Sequence, residues 1–190
     1  MTAPSKQIFL VRHGETEWSR SGQHTGRTDI ALTENGRAQA EALGRFLLGR
    51  ELTVWSSPLQ RARETCRLAG FTPARIDDNL LEWDYGVYEG RTTAQIQSEI
   101  PGWLVWNCPI IGGELVEQVG ERADRMIAEL ADIDGDVGLF AHGHILRILA
   151  ARWIGLEPVG GRLLALDTAT ISVLGFERAT QVIRQWNVRP

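Results

Sequence analysis

Two short runs concentrate the reactive side chains of this 190-residue chain: Arg12-His13-Gly14 and His142-Gly143-His144. The protein has four histidines, and three of them fall in these two places. A third run, Ser57-Pro58-Leu59-Gln60-Arg61, adds another guanidinium. Arginine presents planar, paired hydrogen bonds to phosphate oxygens and keeps its charge at every working pH. A histidine beside such cations is held neutral, and its free lone pair can attack phosphorus. The leaving oxygen then needs a proton, and Glu82 and Asp84 in Leu80-Leu81-Glu82-Trp83-Asp84-Tyr85-Gly86 are the carboxyls on offer. A metal site on His142 and His144 is a different chemistry for the same residues. No carboxylate stands at ligand spacing beside them, and two histidines alone leave a metal under-coordinated. The sequence therefore asks for neither metal nor cofactor.

The reactive runs must be positioned by the elements that precede them. Gln7 to Val11 is a short apolar run of the kind buried on both faces of a sheet. Leu52 to Ser56 and Val137 to Ala141 read as two more strands. Helices follow: Thr33, a cap, to about Leu48; Pro58 to Ala69; Glu114 to Ala131; and His144 to Ile154. Ala169 to Phe176 and Val182 to Asn187 read as closing strands that suit a hairpin. Alternating strands and helices predict an α/β fold, a three-layer sandwich whose mostly parallel central sheet is flanked by helices. Sites in such sheets lie beyond the carboxyl ends of the strands, where all three reactive runs fall. No repeat or linker divides the chain, so residues 1–190 are expected to form one domain.

Composition removes several classes. A net charge of −4 argues against a nucleic-acid partner or a basic membrane surface. The apolar runs are far shorter than the roughly 20 residues of a membrane span. Met1 to Gln7 is a polar stub without the apolar stretch of a signal peptide. Cys66 and Cys108 are too few and too far apart for a disulfide framework, and suit a reducing cytoplasm.

Leu10-Val11-Arg12-His13-Gly14-Glu15-Thr16-Glu17-Trp18-Ser19, Ser56-Ser57-Pro58-Leu59-Gln60-Arg61-Ala62 and Ala141-His142-Gly143-His144 together resemble the histidine phosphatase superfamily, also called phosphoglycerate-mutase-like. Thr25-Gly26-Arg27-Thr28-Asp29 and Glu82-Trp83-Asp84-Tyr85-Gly86-Val87-Tyr88-Glu89-Gly90 fit the same pattern, and the matches run in order over roughly residues 7 to 150. The Glu82 run and the Trp18-Ser19 pair are most similar to the sedoheptulose-bisphosphatase and actinobacterial acid phosphatase type. The resemblance implies that His13 is the nucleophile and forms a phosphohistidine. It implies that Arg12, Arg61 and His142 hold the phosphoryl group, that Gly26 and Gly143 add backbone contacts, and that Glu82 is the proton donor. Ser19 stands where the family often has Asn, and its hydroxyl can still donate to phosphate.

The family divides into mutases, which return the phosphoryl group to the substrate, and phosphatases, which pass it to water. A mutase needs extra cations above the phosphate, and the resemblance places them after the Glu82 motif. Thr92 to Glu121 contains no Lys or Arg. It holds instead an apolar segment, Ile100 to Ile111, whose Trp103 and Trp106 suit a cover over the pocket, a small satellite core or a homodimer contact. The expected activity is therefore hydrolysis of small phosphorylated metabolites, sugar phosphates or sugar-acid phosphates, with broad specificity; an apolar cover also admits aryl or alkyl esters. The runner-up is a bisphosphoglycerate-dependent phosphoglycerate mutase, and the reading of another class is a non-catalytic phosphate-binding module. Arg20, His24, Arg27, Trp103, Trp106 and His144 are the candidates for substrate recognition. Arg20, His24 and Arg27 are also the residues of an ordinary solvated loop, and His144 suits a helix cap as well as a pocket wall.

Overall fold

Ile8–Arg12 forms β1, and its four apolar residues are buried while Arg12 emerges at the carboxyl end. The structure, a computed structural model, describes residues 6–190, so most of the polar stub at Met1 to Gln7 lies outside the described residues. After β1 come the helices α1 (Glu17–Ser21) and α2 (Glu34–Phe46), then β2 (Leu52–Ser56), α3 (Gln60–Leu68) and the two-residue strand β3 (Arg75–Ile76). Helices α4 (Thr93–Gln97) and α5 (Val116–Ala131) lead to β4 (Asp136–Ala141), α6 (Gly143–Trp153), and the strands β5 (Ile171–Glu177) and β6 (Thr180–Val188).

These strands make one six-stranded sheet in the order β3-β2-β4-β1-β5-β6. β1 pairs parallel with β4, and β2 pairs parallel with β4 and β3. β5 pairs antiparallel with β1 and turns back into β6, the closing hairpin that the sequence suggests. The period of two along β1 separates two cores. Ile8 and Leu10 pack with Val119, Met126, Ile145 and Leu149 of α5 and α6, whereas Phe9 and Val11 pack with Leu43, Leu47 and Cys66 on the side of α2 and α3. Helices on both faces of a mostly parallel sheet give the three expected layers.

The segments between strands hold more order than the sequence shows. Glu17–Ser21, where Arg20 suits a solvated loop, is a short helix closed by a capping box between Thr16 and Ser19. Thr92 and Gln95 make the same box at the start of α4. From Pro101 to Gly113 the chain is irregular, as its prolines and glycines predict. The turn after β1 lies so close to α2 that a Cβ on Gly14 would stand 2.3 Å from the Gly36 carbonyl oxygen, and one on Gly36 would stand 2.1 Å from that of Glu15. This contact, together with a bond of 2.9 Å from the Thr33 amide to the Glu15 carbonyl, fixes the backbone just beyond His13. Among the described residues no helix is long and apolar enough to cross a membrane.

Candidate active site

The carboxyl ends of β1, β2 and β4 meet on one edge of the sheet. Arg12 lies opposite Ala141 in the parallel register, so the chain leaves β1 into His13 beside the point where β4 runs into His142. The His13 amide bonds the Ala141 carbonyl at 3.0 Å, and the Ser57 amide bonds that of Phe140 at 2.9 Å. Sheet pairing alone therefore brings the three reactive runs together.

His13 is almost fully buried, and its Nδ1 lies 2.7 Å from the Gly14 carbonyl oxygen. A carbonyl only accepts, so Nδ1 carries the hydrogen and Nε2 keeps its lone pair. Burial, and then the charges of Arg61 and Arg12, hold this ring neutral well below the ordinary histidine range. His142, at 5.2 Å between ring centroids, is set in the opposite tautomer. Arg61 Nε donates to its Nδ1 at 3.1 Å, so Nε2 carries the hydrogen and donates to Ser57 Oγ at 2.7 Å. Burial, followed by Arg61, also depresses this imidazolium strongly. One ring is thus a base with a free lone pair and the other a neutral donor.

Arg61 is completely buried and does not reach the cavity surface. Besides His142 it donates to the carbonyls of Thr28 (2.9 Å), Thr25 (3.2 Å) and Gly26 (2.9 Å), which ties the 25–28 loop to the sheet edge. Gly26 thus enters the site through its carbonyl, as a support for Arg61. Arg12 does line the cavity. Its Nη1 donates to the Leu166 carbonyl, its buried Nε has no hydrogen-bond partner among the described residues, and Gly143 packs on its guanidinium.

Glu82 projects from the loop before the Trp83–Gly86 turn onto the start of α6. Its carboxylate accepts from the backbone amides of Trp83 (2.9 Å), His144 (2.9 Å) and Ile145 (3.0 Å). The helix supplies unpaired N–H groups there, and an acidic side chain satisfies them. Arg122 secures the loop from below, bonding the carbonyls of Asn79 (2.8 Å) and Leu81 (2.7 Å) and forking onto Glu114. Glu114 in turn accepts from the Asp84 amide. Burial works against the Glu114 carboxylate, but the hydrogen bonds and charge of Arg122, with the Asp84 amide and Arg27, together outweigh it and hold its carboxyl below the usual range.

A cavity of about 190 Å³ opens over this edge, lined by Arg12, His13, Ser19, Glu82 and Gly143 toward the sheet and by His24, Tyr85, His144 and Arg147 farther out. Burial keeps both outer histidines neutral, with Arg147 and His24 adding to it at His144 and Glu89 opposing it at His24. His144 shares a 2.6 Å hydrogen bond with the Tyr85 hydroxyl and is a wall residue. Ser19 also faces the cavity, but its hydroxyl hydrogen goes to the Thr16 carbonyl in the α1 cap.

Four recognition candidates take other places. Arg20 is exposed and paired with Glu17 outside the cavity. Arg27 is drawn away to Glu114 (3.2 Å) and Asp84 (3.7 Å). Trp103 is buried edge-on against His24, which removes it as a dimer contact, and Trp106 packs between Trp83, His144 and Arg147. The two tryptophans back the wall residues and do not form the wall.

Three residues escape the sequence reading. Arg122 shows as a lone cation on the apolar stripe of α5, a signal that was available. Arg147 sits one turn into α6, one residue short of a turn beyond His144. Glu89, within a quoted motif, accepts from the Arg27 amide (2.9 Å) and the Thr28 hydroxyl (2.7 Å) and shapes the loop that feeds Arg61. Among the described residues no three His, Cys, Asp or Glu side chains are placed to share a metal ion, and both ring nitrogens of His142 are already engaged.

Comparison with known proteins agrees with this geometry. Residues 8–189 match the family described as the histidine phosphatase superfamily (branch 1). An acid phosphatase of Mycobacterium tuberculosis is 42% identical over 95% of this chain and 92% of its own length. The sedoheptulose 1,7-bisphosphatase of Saccharomyces cerevisiae is 36% identical over 82% of this chain and 70% of its own. A solved structure of a Mycobacterium tuberculosis open reading frame superposes with a TM-score of 0.91 at 42% identity, covering 97% of this chain and 98% of that one. The chain belongs to branch 1 of the histidine phosphatase superfamily and is an enzyme of the phosphohydrolase type.

Proposed function

We propose that the protein hydrolyses small phosphate monoesters, sugar phosphates or sugar-acid phosphates with broad specificity, through a phosphohistidine on His13. The observation that carries this reading is the lone pair of His13 Nε2, left free by the Nδ1 bond to Gly14 on a ring kept neutral by burial and by the Arg61 and Arg12 guanidinium groups. The phosphoryl dianion would lie against Arg12 and the Gly143 end of α6, with His142, its ring held in place, sharing its Nε2–H between Ser57 Oγ and a phosphoryl oxygen. Arg61 would act from behind as the group that fixes His142. In the first step the Nε2–P bond forms and the ester P–O bond breaks, and protonated Glu82 gives its proton to the departing alkoxide. In the second step water attacks phosphorus, the N–P bond breaks, and the Glu82 carboxylate takes a proton from that water. Inorganic phosphate and neutral His13 result.

The two named relatives, an acid phosphatase and a sugar bisphosphatase, support hydrolysis and a sugar-phosphate substrate. Arg147 favours a second reading, because it supplies from α6 a cation that the covering segment lacks, and a mutase needs one there. One assay separates the two. Phosphate release is followed in excess EDTA from sugar mono- and bisphosphates, an aryl phosphate, and 3-phosphoglycerate with a bisphosphoglycerate primer. Release that disappears in His13→Ala, with acid-labile label on the wild type, supports the hydrolase. Isomerised glycerate with little free phosphate establishes the mutase instead.

A further inference from the structure

We infer that Arg147 is a second anion-binding group, which makes the preferred substrate a compact phosphate ester bearing another phosphate or a carboxylate. This rests on the hydrolase reading above and names the class of substrate for it.

The guanidinium of Arg147 is built in place. Nε donates to the Gly161 carbonyl at 3.1 Å and Nη2 to that of Arg162 at 3.2 Å, while the face stacks on Trp106 with Cζ 4.8 Å from the ring centroid. The segment that supplies those carbonyls lies close against α6 at Gly161, where a Cβ would stand a tight 3.1 Å from Arg147 C and Ile148 N. Two carbonyls and an aromatic face fix the plane of the fork, so little rotamer freedom remains to be lost on binding.

What the fork holds is open. Nη1 has no hydrogen-bond partner among the described residues, and no carboxylate forms an ion pair with Arg147, whereas Arg20, Arg27, Arg91, Arg122 and Arg152 all have one. The carboxylate that shares its cavity, Glu82, is already satisfied by three backbone amides. An unpaired, immobilised cation lining a substrate cavity is a site for an anion.

The cavity, about 190 Å³, and the course of α6 set the size of the ligand. Gly143 packs on the Arg12 guanidinium, and Arg147 follows four residues later on the same helix, a rise of about 6 Å. A second phosphate or carboxylate on a short carbon chain bridges that span. The walls between, His24, Tyr85 and neutral His144, offer ring faces and hydrogen-bonding edges to such a chain. Trp106 acts only through Arg147, as the plate beneath it.

The test is a selectivity ratio. In wild type, Arg147→Met and Arg147→Lys, kcat/KM is measured for fructose 1,6-bisphosphate and 3-phosphoglycerate against p-nitrophenyl phosphate, all in EDTA. Arg147→Met should lower the ratio of doubly to singly anionic substrates by roughly 10- to 100-fold, mainly through KM, and Arg147→Lys should restore part of it. A loss confined to the bisphosphate identifies a phosphate as the second group; a loss confined to the glycerate identifies a carboxylate. An unchanged ratio overturns the proposal. A calorimetric arm separates this from the hydrolase reading: in His13→Ala, the preference for binding pyrophosphate over phosphate should collapse when Arg147→Met is added. If no substrate turns over yet that preference collapses, the hydrolase reading fails and the second anion site stands.

Discussion

The two ends of the cavity are built on opposite principles. At the sheet edge, His13, His142 and Arg61 have their ring and guanidinium groups tied to backbone carbonyls, to one another or to Ser57, and each is nearly or wholly buried. At the outer end, His24, Tyr85 and His144 stand in aromatic packing, with edge-on and tilted contacts between 4.9 and 5.8 Å, and Arg147 alone is pinned to backbone carbonyls. A phosphoryl group is the same in every ester, so a rigid, hydrogen-bonded cradle suits it. The carbon skeleton varies, and stacked rings accept several shapes with small losses. Chemistry and recognition are therefore separable in this molecule, and mutations should fall into two groups.

The largest effect belongs to the sheet edge. His13→Ala removes the nitrogen proposed to attack phosphorus, and phosphate release should fall by about 10⁴-fold or more for every ester tested. Glu82→Gln keeps the shape but not the proton; a loss of roughly 10²–10⁴-fold is expected, smaller for a good leaving group such as p-nitrophenolate. An equal loss for aryl and sugar esters would remove Glu82 from the proton-donor role.

Arg122→Met tests the support beneath Glu82. It strips donors from Asn79, Leu81 and Glu114 and should cost about 3 kcal/mol in denaturant unfolding. A change under ~0.5 kcal/mol would mean that the loop stands without it.

The neutral histidines predict a pH dependence. Folding holds His13, His142 and His144 well below the ordinary range, chiefly through burial, while the unfolded chain protonates them near pH ~6.5. The unfolded state then binds more protons, so stability should decline as the pH falls below ~6.5, and replacing His144 by Gln should flatten the decline. The smallest effect is assigned to Arg20→Ala, an exposed ion pair outside the cavity: kcat/KM should stay within about twofold and stability within ~0.5 kcal/mol. A strong change in substrate preference there would break the division between the two ends.

The same division explains what could be read from the chain. β2 runs from Leu52 to Ser56 as the sequence predicts, and β1, β4 and the long helices agree within a few residues, because buried strands and amphipathic helices carry their burial in their period. The placement of reactive residues at strand ends follows from that. The outer wall was harder to see, since its membership depends on which partner each side chain finds. Arg20 and Arg27 look like cavity cations until Glu17, Asp84 and Glu114 are seen to hold them. Arg147 looks like an ordinary helical arginine until the Gly161 segment and Trp106 fix it. The short helices α1 and α4 have too few residues for a periodic signal, and only their capping boxes mark them.

The position of β1 in the sheet has a consequence for how the protein comes into being. Of the six strands this one is synthesised before the others, yet its neighbours are β4 and β5, and His13 is bracketed by bonds to Ala141 and Ala169. At ordinary rates of synthesis, roughly 130 residues separate β1 from its first partner, a wait of about 6 to 26 s. His13 is made early and is held in its final place late. A nascent chain that ends before β5 holds every reactive residue of the cluster and lacks the frame that gives them their chemistry.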